Sequence, residues 1–370
     1  MQTLPVVSGL DLTRFITYPW TLYQTIPHSN WVPPLRFQER TLLQPHLHPF
    51  WDHAKRQLFI AKRGQTVVGR IAAIIDTTYN TYAKTPCGAF GFFECEDNQA
   101  TANSLLDSAT QWLAAQGMQY IRGPVNPSTN YTCGMLVDGF AKTPSLMMPW
   151  NPPYYPKLLE GWHAYKEQDL FAYRITKESY LRANPLPQPS NTLFSCRTSS
   201  KKTLEGDIAI MLDLYRKSWA NNWYFTPLSP REEELLVQDL LTVVDTKYFL
   251  LFFHNNEPAG GMVALPNINP FLQAINGSLG LLTPWHYYKT HTQFTKNLRI
   301  MLFGILEQYR LLGLPALLVE SMLAACQNNP DLQWVEGSWV LEDNTPMCDL
   351  LEDFGGEITM RYRIYRKEIV

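Results

Sequence analysis

A proline-rich stretch close to the middle of the chain constrains the fold more than any other feature. Three prolines fall within five residues of Asn184–Asn191. Because proline lacks a backbone N–H and fixes φ, neither a helix nor a central strand continues through this stretch. We therefore predict a linker over 184–198 that separates an N-terminal domain, 1–183, from a C-terminal domain, 199–370.

The two halves of the sequence follow one order of predicted elements. In each half, two β-rich runs joined by a turn precede a strand, a helix and a strand. In the N-terminal half these elements are Gln57–Lys62, Val67–Ile75, Phe90–Glu94, Thr101–Ala115 and Tyr120–Val125. In the C-terminal half, after two helical segments, they are Tyr248–Phe253, Gly261–Leu265, Arg299–Leu306, Ala316–Ala325 and Leu332–Val340. The order predicts an α/β fold with a mixed sheet in each half.

Residues 266–298 interrupt the repeat between the hairpin and the next strand of the C-terminal half. The stretch is rich in proline, asparagine and aromatic residues. A connection this long inside a compact domain is commonly functional or disordered. Two interpretations stay open: a lid over an apolar ligand, or an ordered excursion over the surface.

The composition is that of an ordered globular protein. Of the 370 residues, 45% are hydrophobic and 17% are charged, which is enough apolar material for a sizeable core. The formal net charge of −2 supplies no basic face to neutralise phosphates, so we expect no nucleic acid as a partner. No run approaches the roughly 20 apolar residues of a membrane-spanning helix, and no signal-peptide pattern opens the chain.

The cysteine and histidine patterns predict neither disulfides nor a metal site. The six cysteines form no C-x-x-C pair, so we expect buried, reduced thiols and a cytoplasmic protein, with peripheral contact to a membrane still compatible. His46, His48 and His53 lie near Asp52 in a proline-bearing loop without the helical or strand scaffold of a metal site, and no metal is expected.

A glycine turn between a predicted strand and a predicted helix is the first candidate binding site. A turn that opens into a helix presents free backbone N–H groups and the positive end of the helix dipole, which suits a phosphate. Gly313 permits close approach or a positive φ. The residues that would face a pyrophosphate are Arg310, Leu311, Leu312, Gly313, Leu314 and Ala316. Alternatively, Gly313 is an ordinary turn glycine and Pro315 an ordinary helix-starting proline.

The segment Trp334–Asn344 holds the candidate catalytic residues. By the two-residue period of a strand, Glu336 and Ser338 share one face and Trp339 lies opposite. A carboxylate at a strand end can accept the proton of an attacking amine, directly or through water, which makes Glu336 a candidate base. Its alternative is an ordinary exposed strand glutamate. Asn344 stands where the next helix begins, so its alternative role is that of an N-cap.

Two loops and a strand end in the N-terminal half offer polar groups for a substrate. Asparagine, proline and tyrosine are dense in 123–130 and 148–155, and such rigid loops can orient a polar head group. A glutamate after a predicted strand could bind an amine. The candidate substrate-binding residues are Glu94, Asn126, Trp150, Asn151 and Tyr154. The alternatives are turn formers that satisfy their own backbone, and a solvated acid.

Five longer sequence segments resemble those of a known family. They are Phe92–Asp97, Arg122–Asn126, Met147–Tyr155, Ser338–Asn344 and Arg361–Tyr365. From about Trp20 to Lys367, the chain resembles a bacterial branch of the GCN5-related N-acetyltransferase (GNAT) superfamily that includes bacterial ceramide synthase-like proteins. The resemblance implies two tandem GNAT-like domains.

The resemblance also implies where a co-substrate binds. Acyl-CoA or acetyl-CoA would be held by the strand Arg299–Leu306, through residues such as Ile305 and Leu306, and by the turn at Arg310–Ala316. Members of the branch usually have a basic turn with two glycines, whereas a single glycine stands here. The superfamily often has a tyrosine acid about where Leu351 stands. The turn after Glu94 has no glycine, so the N-terminal domain is expected to shape the substrate cleft.

The leading hypothesis is an acyl-CoA-dependent N-acyltransferase in which an amine attacks the thioester directly. The aromatic content and the 266–298 insertion suit a long-chain acyl donor and a lipid-like amine, and the resemblance suggests a sphingoid base. The alternative is a non-catalytic protein that binds acyl-CoA or lipid on a degenerate acyltransferase fold. A transferase that uses aminoacyl-tRNA is disfavoured by the absence of a basic patch.

Overall fold

The computed structural model describes residues 1–183, 193–327 and 329–369, which pack into two compact units. The first unit contains Met1–Leu170, Leu272–Leu282 and Met360–Val370, and the second contains Phe171–Phe271 and Thr283–Thr359. Most of the predicted linker, 184–192, lies outside the described residues, and its last part forms the strand Ser195–Thr198. The domain boundaries stay a prediction.

The first unit combines strands and helices along the chain. Its strands are β1 (Gln2–Pro5), β2 (Ala54–Arg63), β3 (Thr66–Asp76), β4 (Cys87–Cys95), β5 (Tyr120–Gly123), β6 (Val125–Asn126), β7 (Thr132–Cys133) and β8 (Met135–Asp138). Its helices are α1 (Gly9–Gln24), α2 (Arg36–Leu42), α3 (Thr77–Ala83), α4 (Gln99–Ala115) and α5 (Tyr155–Gly161). The strand β9 (Tyr165–Thr176) contributes residues to both units.

The second unit repeats the central part of that order. Its elements are α6 (Lys177–Ala183), β10 (Ser195–Thr198), α7 (Leu204–Trp219), α8 (Pro230–Val243), β11 (Phe249–His254), β12 (Glu257–Pro266), α9 (Asn269–Ile275), α10 (Thr283–Thr290), β13 (Asn297–Ile305), α11 (Leu314–Gln327), β14 (Trp334–Leu341) and α12 (Thr345–Asp353). The last strand, β15 (Glu357–Glu368), contributes residues to both units, as α9 does.

In each unit the strands form both antiparallel and parallel pairs. In the first unit β1, β2, β3 and β4 pair antiparallel in that order, and β4 pairs parallel with β5. In the second unit β10, β11, β12 and β13 pair antiparallel, and β13 pairs parallel with β14. A parallel pair needs a crossover, which α4 and α11 supply. The predicted fold class, a mixed α/β sheet in each half, is confirmed.

Each unit buries its own apolar core around its crossover helix. In the first, Leu105, Leu106 and Ala109 of α4 are fully buried against the sheet. In the second, Leu314 and Leu318 of α11 are equally buried. These positions repeat at helical spacing, so one face of each helix covers one sheet face.

Several elements differ from what the sequence predicted. The helix α1 was not predicted, and it carries Pro19 in its interior. The 266–298 insertion is ordered, since it contains α9 and α10. Five of the cysteines are buried as expected, whereas Cys196 is exposed, so the expectation was wrong for that residue. Among the described residues, no helix combines the length and apolar character needed to cross a membrane.

Candidate active site

In the second unit, the parallel strands β13 and β14 separate before they end. They pair only over Asn297–Ile300 and Trp334–Gly337, whereas β13 stays paired with β12 as far as Ile305. The last residues of β13 therefore turn one backbone edge toward a gap. Backbone N–H and C=O groups along such an edge can hydrogen-bond an extended ligand, as a neighbouring strand would.

Two tryptophans lie at this gap. The indole Nε1 of Trp219, the last residue of α7, donates to the carbonyl of Phe303 at 2.8 Å. The ring of Trp219 meets that of Trp339 edge to face, with centroids 5.8 Å apart. An apolar, aromatic lining therefore borders the free edge of β13, which suits the alkyl part of a ligand.

The predicted glycine turn lies where β13 leads into α11. Gly313 adopts a φ of +79°, the conformation for which glycine was predicted, and α11 begins at the next residue. The amides of Leu314 and Ala316 belong to the first turn of the helix, where no intrahelical acceptor exists. The amide of Leu312 is bound to the carbonyl of Tyr309 at 3.2 Å. The turn thus offers part of the predicted amide set.

Arg310, which was predicted to add positive charge to the turn, is hydrogen-bonded to two backbone carbonyls. The Arg310 guanidinium donates to the carbonyl of Ser218 at 2.8 Å and to that of Ile305 at 3.4 Å. It links the end of β13 to the end of α7 and stays beside the turn as a cation. Leu311, by contrast, is 97% exposed and contributes only its backbone to any polar contact.

Glu336 lies in a buried ionic network, so the alternative of an exposed strand glutamate is wrong. Its side chain is fully buried, its Oε2 accepts from Arg174 Nε at 2.7 Å, and its Oε1 accepts from Ser338 Oγ at 2.8 Å. Arg299 Nε in turn donates to Ser338 Oγ at 3.0 Å. Both carboxylate oxygens therefore accept a hydrogen bond within the protein.

The helix α12 carries the remaining predicted residues of this unit. Asn344 stands at its N-cap position, but its side chain makes no capping hydrogen bond. Leu351, at the position of the family's tyrosine, is buried in the core. A tyrosine that the sequence analysis missed lies against this helix: Tyr173 Oη donates to Glu352 Oε1 at 2.9 Å. Burial raises the pKa of Tyr173, so it keeps its proton at neutral pH.

In the first unit, Glu94 ends up deep inside a ring of polar side chains. Its Oε2 accepts from Tyr155 Oη at 2.7 Å and from Tyr23 Oη at 2.9 Å, while Oε1 lies 3.9 Å from Arg70 Nη2. Burial raises the pKa of the Glu94 carboxyl, and the charge of Arg70 opposes that shift. The alternative of a solvated acid is therefore wrong.

A second carboxyl shares the same arginine. Burial also raises the pKa of Glu39, on α2, and Arg70 again opposes the rise. Arg70 Nη1 donates to the carbonyl of Phe15 at 3.0 Å, whereas its Nε is buried without a hydrogen-bond partner in the described residues. The charge of Arg70 therefore acts on both carboxyls, and its Nη2 lies 3.9 Å from Glu94 Oε1.

The other predicted substrate-binding residues lie near Glu94 or hold the loops in place. Tyr154 Oη donates to the carbonyl of Cys95 at 2.8 Å, and Trp150 accepts from Tyr23 through its own carbonyl at 3.2 Å. Asn126 accepts from the amide of Phe92. Asn151 exchanges hydrogen bonds with the backbone of Leu136 at 2.7 and 3.1 Å, which ties its loop to β8. Their role toward a substrate stays a prediction.

The turn after β4 is unsuited to a phosphate. The helix α4 is capped by Asn98, whose Oδ1 accepts from the amide of Thr101 at 3.0 Å. Glu96, in the same turn, accepts from Thr101 Oγ1 at 2.8 Å and pairs with Arg63. Because a side chain and a carboxylate already occupy the helix N-terminus, an anion would meet repulsion there.

Comparisons with known proteins place the chain. No family model matches the sequence. A Caulobacter vibrioides protein named bacterial ceramide synthase is 33% identical over 385 residues, covering 100% of this chain and 98% of that protein. Protein YghO of Escherichia coli is 28% identical, covering 97% of this chain and 93% of its own length. Among solved structures, a tandem GNAT protein from the clavulanic acid biosynthesis pathway aligns over 100% of this chain and 98% of its own, with a TM-score of 0.56 at 12% identity.

Fold, site and relatives together define the class. The chain is an acyltransferase of tandem GNAT architecture. More narrowly, it belongs to the bacterial ceramide synthase-like branch of the GNAT superfamily. This confirms the resemblance predicted from sequence segments in both halves of the chain.

Proposed function

We propose that the protein transfers an acyl group from acyl-CoA to an amine. The observation that carries the proposal is the separation of β13 from β14 directly beside the glycine turn that opens α11. A thioester with its pantetheine arm has amide groups that need backbone partners. The end of β13 would offer its N–H groups, since the carbonyls of Phe303 and Ile305 already accept from Trp219 and Arg310. The relatives support acyl transfer, and dependence on CoA is our inference from this geometry.

The residues present fit a CoA-type co-substrate in the second unit. Gly313 has no side chain to block an approaching pyrophosphate, and the amides of Leu314 and Ala316 together with the helix dipole would bind its charge. Arg310 adds a positive charge nearby. The tryptophan-lined gap beside Phe303 would receive the acyl end. When bound, the thioester supplies an activated acyl carbon.

The amine acceptor is proposed to bind at Glu94 in the first unit. Burial raises the pKa of Glu94 and that of Glu39, the charge of Arg70 opposes both shifts, and Glu94 would receive a cationic or neutral amine. Tyr23 and Tyr155 fix one oxygen of Glu94 and leave the other for the ligand. The aromatic residues around this site suit an amine that carries an apolar tail.

In the proposed reaction, a carbon–nitrogen bond replaces a carbon–sulfur bond. The neutral amine nitrogen forms a bond to the acyl carbon, the carbon–sulfur bond breaks, one amine proton passes to a base, and the departing sulfur takes up a proton. Backbone N–H groups would stabilise the carbonyl oxygen as it gains charge. The name of the Caulobacter relative supports a sphingoid base as the amine, and the product would then be a ceramide.

Ligand-dependent melting combined with product analysis tests the proposal. The protein is melted alone and with CoA, acetyl-CoA or palmitoyl-CoA, and then incubated with palmitoyl-CoA and a panel of amines that includes a sphingoid base. We expect a raised melting temperature with palmitoyl-CoA, and an amide product detected by mass spectrometry. No stabilisation by any CoA species, together with no amide, would overturn the proposal.

A second candidate function is binding of acyl-CoA without catalysis. It is favoured by Leu351, an apolar residue buried where the family often has its acid, and by the engaged carboxylate of Glu336. This candidate predicts stabilisation by palmitoyl-CoA without an amide product from any amine. The same experiment therefore separates the two.

A further inference from the structure

A short run of apolar side chains is turned outward at and just before α10. Leu281 is 101% exposed, Leu282 66%, Trp285 53% and Tyr288 69%. Tyr287 is also 53% exposed. Single exposed apolar residues are ordinary on protein surfaces, but five within eight consecutive residues are not. The segment 281–289, which we call the apolar loop, therefore needs an explanation beyond chance exposure.

The ring of Tyr287 contacts three neighbouring rings although about half of the residue is exposed. It stacks on His291 at 5.6 Å and meets Phe271 and Phe294 at 6.0 and 5.8 Å between centroids. These contacts fix the position of α10, on which Trp285 and Tyr288 lie exposed.

The exposed rings of Trp285 and Tyr288 are stacked, with the ammonium group of Lys289 beside Trp285. The rings of Trp285 and Tyr288 stack at 6.4 Å with planes 21° apart, and Lys289 Nζ lies 4.6 Å from the centroid of the Trp285 ring. Tryptophan, tyrosine and lysine beside exposed leucines are the residue types that settle at the boundary between lipid head groups and acyl chains.

The charge of the surrounding sequence points to the same kind of surface. Residues 258–306 contain no Asp or Glu, although the chain has 33 acidic residues elsewhere. The same stretch contains Lys289 and Lys296. A stretch that lacks acids and keeps lysines is complementary to a negatively charged surface and avoids repulsion from it.

We propose that the apolar loop binds the surface of an anionic membrane. Leu281, Leu282 and Trp285 enter the boundary with the acyl chains, Tyr288 lies among the head groups, and Lys289 faces lipid phosphate. Binding of this kind needs no spanning helix. The proposal is independent of the transfer reaction, since it requires neither CoA nor an amine.

Binding to vesicles tests the proposal directly. Wild-type protein is sedimented with vesicles of phosphatidylcholine alone and with vesicles that contain about one-third phosphatidylglycerol. We expect clear binding to the anionic vesicles, and about tenfold weaker binding for the double variant Leu281→Ser/Trp285→Ser. Leu47→Ser and Leu241→Ser are matched controls, since those leucines are 49% and 42% exposed outside the loop. Equal melting temperatures confirm that the variants fold.

Two further measurements separate insertion from other causes of binding. Lipids brominated in their acyl chains should quench the tryptophan fluorescence of the wild type more than that of Trp285→Phe. The double variant Lys289→Glu/Lys296→Glu should bind the anionic vesicles more weakly than the wild type does. Its binding to vesicles of phosphatidylcholine alone should be unchanged. Absence of wild-type binding, or unchanged binding of the double variant, would overturn the proposal. The proposal would also be overturned if light scattering showed a wild-type dimer that the variant Leu281→Ser/Trp285→Ser does not form. The apolar loop would then contact a second copy of the chain.

Discussion

The Nε of Arg174 donates a 2.7 Å hydrogen bond to Oε2 of Glu336, whose side chain has no exposed surface. Arg174 also lies with its guanidinium carbon 4.1 Å from the centroid of the Trp334 ring. The pair therefore joins β9 to β14 within the second unit, at the strand that borders the candidate cleft. Glu336 is first of all a residue on which the fold depends.

Removal of this carboxylate should destabilise the protein. Glu336→Ala removes the carboxylate that pairs with the buried charge of Arg174, and we expect a loss of about 3–5 kcal/mol in the free energy of unfolding, measured in urea. The control Asp349→Ala, on the exposed face of α12, should change it by less than about 0.5 kcal/mol. An unchanged stability for Glu336→Ala, with activity abolished, would instead support Glu336 as the base.

Binding of CoA should depend on Gly313. Gly313→Asp places a carboxylate and a strained φ at the helix start, so stabilisation by palmitoyl-CoA should disappear. Gly117→Asp is the matched control: Gly117 is exposed, has a φ of +80°, and its added Cβ would meet nothing within 4 Å. Equal loss of ligand stabilisation in both variants would mean that strain, and not the turn, causes the effect.

The raised pKa of Glu94 gives a defined pH dependence of stability. The folded state binds the proton more readily than the unfolded chain, whose glutamate has a pKa of about 4.3. The stability that this group contributes is therefore complete below that value and is lost as the pH rises through the folded pKa. Glu94→Gln, which stays neutral, should lack this loss. We expect its melting temperature relative to wild type to increase between acidic and neutral pH, and a constant difference would contradict the assignment.

The hydroxyl of Tyr155 should matter for stability beyond its contact with Glu94. It also accepts from the amide of Cys95 at 2.8 Å, so Tyr155→Phe leaves that buried N–H without this acceptor and removes one of the two tyrosine donors to Glu94. We expect a loss of about 1–3 kcal/mol in the free energy of unfolding. Tyr165→Phe, which removes an exposed hydroxyl paired with Glu368, serves as the control and should cost less than about 0.5 kcal/mol.

Local signals made much of the fold predictable. The turn at Gly313, the helix after it and the strands on either side follow from spacing and from the conformational freedom of glycine. The helix α8 begins at a signal of this kind, since Ser229 forms a capping box with Glu232. The helix α1 was not predicted from the sequence. Proline inside a helix is unfavourable, and in α1 the burial of its aromatic face outweighs the cost of Pro19.

The candidate site was predictable only as a set of residues. Glu94 and Glu336 were both singled out from their strand positions, yet each had an exposed, solvated alternative. The structure buries both, because Tyr23 and Arg174 reach them from segments distant in sequence. Spacing along one strand contains no information about such partners.

The sequence by itself determined the order of elements, the repeat of that order in two halves, the single glycine at the start of α11 and the absence of acidic residues over 258–306. These depend on backbone preferences and on side-chain chemistry, which are local properties. Only the tertiary structure decided that β13 and β14 part after four residue pairs, that the carboxylate of Glu336 is bound on both oxygens, and that the side chains around Trp285 stay outside. Burial and partnership depend on contacts between distant segments, and those contacts exist only after the chain has packed.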